Sequence, residues 1–141
     1  MSGPLSGFKV LDMSRVLAGP VATVLLADQG ADVIKVEPLK GDVIRAMGGG
    51  GVTPGFLTAN RGKRSIARDL TCEEGINIVK RLASEADVFV QNFRPGAIDG
   101  MGLGESVIRE INPKIIYVSI SGFGEEGPYA CLLYTSPSPR D

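Results

Sequence analysis

Three cations stand within six residues at Asn60-Arg61-Gly62-Lys63-Arg64-Ser65, in a segment that its glycine marks as a loop. Arginine grips phosphate through its fork and lysine as a point charge, so this segment reads as a phosphate contact or as a solvated basic turn. Asn92-Phe93-Arg94-Pro95-Gly96 sets an amide, an aromatic face and a guanidinium directly after an apolar run. That set suits an adenine or phosphate contact, and equally a capped, stapled helix entry. Glu37 ends a second apolar run, where a nicotinamide enzyme would place its ribose-binding acid. The preceding turn, residues 14–20, has Gly19 as its one glycine, lacks the Gly-x-Gly-x-x-Gly fingerprint, and carries Pro20, which removes a donor from the helix start. Without those glycines a dinucleotide site is poorly supported, and Glu37 reads as a surface carboxylate at a strand end. Cys72, at a predicted helix start, could have a lowered pKa but reads first as an incidental thiol. Gly48 to Gly51 reads as a flexible loop that could serve as a lid.

Composition narrows the chemistry further. The chain has 141 residues, 43% hydrophobic and 22% charged, with 15 Lys plus Arg against 16 Asp plus Glu. That near-balance argues against non-specific binding to nucleic acid or to a membrane surface. With no His, metal sites built on His and His-dependent nucleophile pairs or general bases are excluded within these residues. Cys72 and Cys131 are too far apart in sequence for a metal cluster or a disulfide framework and point to a reducing compartment. No apolar run approaches the roughly 20 residues of a membrane helix, and residues 1–10 lack a signal-peptide core. The expectation is a cytoplasmic protein without metal.

The elements that must position these residues follow from periodicity and punctuation. Residues 8–13 predict a strand, 20–29 a helix with Pro20 at its first position and Gly30 as its C-terminal cap, and 32–37 a strand. A strand–helix–strand unit of this kind implies a parallel pair with a right-handed crossover. Residues 38–62 read as one long loop, a functional-loop candidate by its length. A short strand over 65–70 precedes Thr71-Cys72-Glu73-Glu74, a capping-box pattern opening a helix. Strands over 88–91 and 115–119 flank a short helix over 105–111. The repeated βαβ pattern predicts an α/β fold, an open and mostly parallel sheet of the doubly wound kind. Ligands of such sheets bind beyond the carboxyl ends of the strands, where the loops at 14–20, after 37, at 92–96 and at 119–128 collect Gly, Asn, Ser and Arg.

In order, the segments resemble one family. Gly7-Phe8-Lys9-Val10-Leu11-Asp12, Arg15-Val16-Leu17-Ala18-Gly19-Pro20 and the run from Leu26 to Pro38 are similar to the opening of family III CoA-transferases. The likeness continues through Gly41-Asp42, the Asn60 to Ser65 segment, Asp69-Leu70, Ala86-Asp87-Val88, Asn92 to Gly96, Ser119 to Gly124 and Gly127-Pro128-Tyr129. The resemblance implies a Rossmann-like large domain, coenzyme A as the acyl-CoA substrate with a small carboxylic acid as the other, and an interlinked homodimer. It implies that Val16, Leu17 and Ala18 line the CoA pocket, and that Arg68, Asp69, Leu70, Thr71, Asn92, Phe93 and Arg94 meet the nucleotide part. Lys63 and Arg64 are weaker candidates for phosphate. Pro38 and Gly100 stand where members of the family carry Arg, and Arg68 stands where an apolar residue is usual, so phosphate contacts are expected to be redistributed. The family's transferase branch uses an Asp nucleophile on a Gly-Asp loop beyond the Gly-Pro-Tyr motif, and its racemase branch a His and an Asp, also beyond it. The expected function is CoA transfer through an aspartyl-CoA intermediate. An acyl-CoA racemase and a non-catalytic CoA- or nucleotide-binding module are the alternatives.

Residues 131–141, Cys-Leu-Leu-Tyr-Thr-Ser-Pro-Ser-Pro-Arg-Asp, differ in kind from what precedes them. They match the translation of a sequencing-library adapter, so residues 1–130 are expected to be the N-terminal part of a truncated large domain, inactive by itself, and 131–141 a scar. Reading the source DNA past the codon for Ala130 is expected to replace Cys131 onward with a continuation carrying a Gly-Asp loop. An unchanged Cys131 to Asp141 followed by a stop codon would refute this.

Overall fold

The structure, a computed structural model, describes residues 3–47 and 52–130. Five strands, β1 (Lys9–Asp12), β2 (Asp32–Glu37), β3 (Arg64–Ala67), β4 (Val88–Gln91) and β5 (Ile116–Ser119), form one sheet in the order β3-β2-β1-β4-β5. Every pairing is parallel; Val10 of β1 lies between Val33 of β2 and Val88 of β4. This is the open, Rossmann-like α/β architecture that the strand–helix alternation predicts.

The helices are α1 (Ala18–Asp28), α2 (Val43–Ala46), α3 (Pro54–Asn60), α4 (Glu73–Ser84), α5 (Ala97–Gly100) and α6 (Glu105–Ile111). The larger core joins Leu11, Met13 and Phe89 of the β1 and β4 region to Val79 and Ala83 of α4 and Ile108 of α6. Phe89 stacks on Tyr117, ring centroids 5.0 Å apart. The smaller core, Val10, Ala31, Val33 and Val90, packs with Leu26 and Ala27 of α1. Helix α1 is apolar on nearly every side, and Val21 and Leu25 on its outer face are exposed. Among the described residues, no helix is long and apolar enough to cross a membrane.

Four details differ from the sequence expectation. The predicted long loop over 38–62 holds two short helices. Asp42 caps α2 by accepting from Ile44 N, and Thr53 caps α3, which has Pro54 at its start; helices of four and seven residues carry too little periodicity to be read without their caps. Gly48 to Gly51 lie outside the described residues. Helix α1 begins at Ala18 rather than Pro20, and its C-terminal cap is Gln29, with the predicted Gly30 one residue beyond at φ 99°. Strand β3 ends at Ala67, short of the predicted Leu70. The capping box at Thr71 does not form: the Thr71 hydroxyl and amide both donate to Asp69 Oδ1, at 2.6 and 2.9 Å, and Cys72 is an N-cap whose Sγ donates to Asp69 O at 3.3 Å and caps nothing. A nearer acceptor takes the hydroxyl before the helix can.

That Asp69 turn folds over the first turn of α4, and a Cβ on Gly75 would lie 1.7 Å from the Asp69 carbonyl oxygen. Replacing Gly75 with Ala is therefore expected to destabilise the protein by about 1–3 kcal/mol. Gly100→Ala, where an added Cβ meets nothing within 4 Å, serves as the near-neutral control. Equal denaturant midpoints for the two variants would contradict this packing.

Candidate functional site

The C-terminal edge of the sheet is organised around carboxylates that are buried and saturated. Asp12, at the end of β1, is 0% exposed. Its Oδ1 accepts from Ser14 N at 2.9 Å and from the Ser14 hydroxyl, and its Oδ2 accepts from Thr23 Oγ1 at 2.6 Å and Lys63 Nζ at 2.9 Å. Two oxygens offer about four lone-pair positions, and four donors occupy them. Lys63 in turn donates to Pro20 O and Asn60 Oδ1 as well. A second buried pair joins Lys35 Nζ to Asp42 Oδ2 at 3.0 Å. Glu37 completes the row: Oε2 accepts from Asp42 N and Arg45 Nε, Oε1 from Arg45 Nη2 and Ser65 Oγ.

These groups converge on the loop after β1. Asp12 takes Ser14 N, Lys35 Nζ donates to Ser14 O at 2.8 Å, and the Asn92 amide accepts from Arg15 N at 2.7 Å while donating to Arg15 O at 2.8 Å. Val16 N then donates to the Asp42 carboxylate at 3.3 Å. Every backbone donor and acceptor from Ser14 N to Val16 N is held by a side chain. The clamp fixes Val16 at φ 66°, where a β-branched residue is an outlier costing roughly 1–3 kcal/mol. Beyond it, Val16 and Leu17 are exposed, and α1 starts without a side-chain cap. A Cβ on Gly19 would lie 2.2 Å from Ser14 Cβ, so only glycine lets the helix start pack on the loop.

The structure brings two of the predicted segments together and leaves the third apart. Asn92 and Phe93 reach Arg15, next to residues 16–18, because β1 and β4 are neighbours at the point where the strand order reverses, the place an open α/β sheet opens a crevice. Asn92 holds the Arg15 backbone, and the Phe93 ring lies 4.7 Å beneath the Arg15 guanidinium. Arg94 is exposed, with no ion pair among the described residues. No hydrogen bond or ion pair among the described residues links Arg68, Asp69, Leu70 or Thr71 to this loop. Arg68 lies along a groove of about 430 Å³ beside Ile78, Arg81 and Leu82 of α4, its Nε buried without a partner among the described residues. Leu70 packs on the larger core. The Asp69 carboxyl is held below its ordinary range by the Thr71 hydroxyl and amide.

Two sequence expectations are corrected. Glu37 is a buried hub and not a surface carboxylate, and its four donors leave no lone pair for a ribose. The segment Asn60 to Ser65 is a solvated turn only in part: Arg61 and Arg64 are exposed, whereas Lys63 turns inward. Lys63 is buried against Asp12, Arg64 forms a two-point bridge to Asp32 at 2.9 and 2.6 Å, and Arg61 pairs with Asp28. Burial pulls the Lys63 ammonium below the usual lysine range, against the attraction of Asp12. Asp12, Lys35 and Asp42 escaped sequence reasoning as members of the site. For Asp12 and Lys35 the signal was a charge ending or inside the apolar strands of a parallel sheet, where both faces are covered; Asp42, a helix cap in what reads as a loop, gave none.

Fold and loop geometry define a Rossmann-like α/β protein with a rigid switch-point loop. Residues 5–133 match CoA-transferase family III, and the chain belongs to that family. It is 50% identical over 129 residues to the succinyl-CoA:glutarate CoA-transferase of Homo sapiens, covering 89% of this chain and 30% of that protein. Against the succinate–glutarate CoA-transferase of Agrobacterium fabrum it is 49% identical over 137 residues, covering 90% of this chain and 34% of the relative. A CAIB/BAIF family protein from Brucella suis superposes with a TM-score of 0.90 at 46% identity, over 94% of this chain and 37% of that one. The chain thus spans about a third of the length of these relatives.

Burial alone would raise the Glu37 carboxyl, but the bonds from Arg45, Asp42 and Ser65 outweigh it and hold it at about 2 against an ordinary 4.5. A lowered folded-state value stabilises the fold above the ordinary pKa, and that stabilisation is lost as pH falls through 4.5 toward 2. Glu37→Gln is expected to cost on the order of 3 kcal/mol at neutral pH, a gap that closes across this window. A gap independent of pH from 7 to 3 in denaturant titrations would contradict the assignment.

Proposed function

We propose that this chain is the acyl-CoA-binding front of a longer CoA-transferase, moving CoA from an acyl-CoA to a carboxylic acid. The carrying observation is the strained, fully clamped loop at the switch point, with Val16 and Leu17 exposed on it and Asn92 and Phe93 beside it. Such a loop is preorganised, so little ordering entropy is lost when a ligand settles on it. Val16, Leu17 and Ala18 contact the CoA chain. Phe93, under the Arg15 guanidinium, and the exposed Arg94 face its nucleotide end, and Asn92 contributes through the Arg15 backbone. Arg68 to Thr71 extend the nucleotide contact along α4. The names of the relatives favour succinyl-CoA as donor and a dicarboxylate such as glutarate as acceptor.

The chemistry belongs to an Asp beyond residue 130. Its carboxylate attacks the thioester carbonyl and expels CoA thiolate, leaving a mixed anhydride. The thiolate then attacks the aspartyl carbonyl, releasing the donor acid and forming an aspartyl-CoA thioester that the acceptor carboxylate takes apart by the reverse steps. Of the candidate aspartates among the described residues, all but Asp99, exposed on α5, are otherwise engaged. Asp12 is saturated, Asp42 takes three donors, Asp28 and Asp32 pair with arginines, Asp69 holds Thr71, and Asp87 accepts from Lys9 N at 2.8 Å. The full-length enzyme acts as a cytoplasmic homodimer, and residues 131–141, which lie outside the described residues, are not part of it.

Two measurements test this reading. The full-length protein is expected to bind CoA more tightly than NAD and to move CoA from succinyl-CoA to glutarate, while residues 1–130 alone show no transfer. Tighter NAD binding, or turnover by the 130-residue piece, would overturn it.

A further inference from the structure

We propose that Asp42 is a positioning residue for acyl-CoA, acting through the backbone of Val16 without touching the substrate. This rests on the reading of residues 16–18 as the CoA-binding loop. Asp42 is 2% exposed and has no path to a ligand of its own. Its carboxylate meets Val16 N at 3.3 Å, caps α2 through Ile44 N at 3.2 Å and pairs with Lys35 Nζ at 3.0 Å. Of the clamp's members, it alone bonds the residue whose φ is positive. Ser14 and Arg15 are held by Asp12, Lys35 and Asn92, but the turn into the left-handed region comes at Val16. A valine released there relaxes to negative φ, since its branched side chain disfavours the left-handed region. That relaxation would swing Leu17 and the start of α1 off the crevice.

Asp42 is itself held in place. Its backbone N–H donates to Glu37 Oε2 at 3.0 Å, and Glu37 is fixed by Arg45 from α2 and Ser65 from β3. The positive φ of Val16 is thus set from the segment that follows β2. Losing a preorganising contact weakens binding without changing the reacting groups, so its effect falls on KM rather than kcat.

The test uses the full-length enzyme, with CoA affinity and steady-state kinetics read together. Asp42→Asn is expected to raise the KM for acyl-CoA and the Kd for CoA at least tenfold while kcat stays within about threefold. Adding Val16→Gly, which adopts positive φ freely, should recover most of that loss, and adding Val16→Ala should not. Equal recovery by Gly and Ala, or a fall in kcat at unchanged KM, would overturn the proposal. Should Asp42→Asn not fold with Lys35 left beside a neutral amide, Asp42→Glu, which keeps a charge for Lys35 but moves it off Val16 N, is read the same way. Leu17→Asp, a surface change on the loop, separates the two layers of the argument. Weaker CoA binding in Leu17→Asp with wild-type affinity in Asp42→Asn overturns the role of Asp42 alone. Wild-type affinity in both overturns the CoA reading of the loop.

Discussion

A carboxylate removed from water must find as many donors as it has lone pairs, and the upper edge of this sheet is built to meet that demand at Asp12. Ser14, Thr23 and Lys63 come from the loop after β1, from α1 and from the segment leading into β3, so one carboxylate ties three parts of the chain together. Breaking a buried pair of this kind by removing one partner costs about 3–5 kcal/mol, because the other charge is left uncompensated. The same demand repeats at Asp42 and Glu37. Opposite charges alternate along the row Asp12–Lys63, Lys35–Asp42 and Glu37–Arg45, so the interior carries no net charge there.

The consequence is that order in this loop is imposed by side chains from β1, β2 and the segments that follow β2 and β4. From Ser14 N to Val16 N the backbone makes no hydrogen bond of its own to another backbone group, yet every donor and acceptor is held. A valine in the left-handed region is tolerable only in such surroundings, where several groups over-determine the conformation.

Much of the fold was legible because its signals are local and repeated. Val10-Leu11 and Val33-Ile34 mark β1 and β2, Gly30 ends α1, and Ile76, Val79 and Leu82 give α4 an apolar stripe. The short helices α2 and α3 were not, since each opens on a single cap, Asp42 or Thr53, inside a stretch that reads as one loop. For the site, residue order carried the family and the positions of Val16 to Ala18 and Asn92 to Arg94. Partnership was invisible. Nothing in Asn60-Arg61-Gly62-Lys63-Arg64 says that the middle cation turns inward to Asp12 while its neighbours pair outward with Asp28 and Asp32. Choosing among such partners requires strands brought together from 28 to 51 residues away.

The absence of a side chain at Gly19 lets helix α1 sit directly on Ser14, with no gap for either to slide into. Loop and helix therefore behave as one solid piece, and the wall they form is a fixed template. If the loop binds acyl-CoA as proposed, the substrate must still enter and the products leave. With this wall packed so closely, the opening and closing falls to the surfaces that face it.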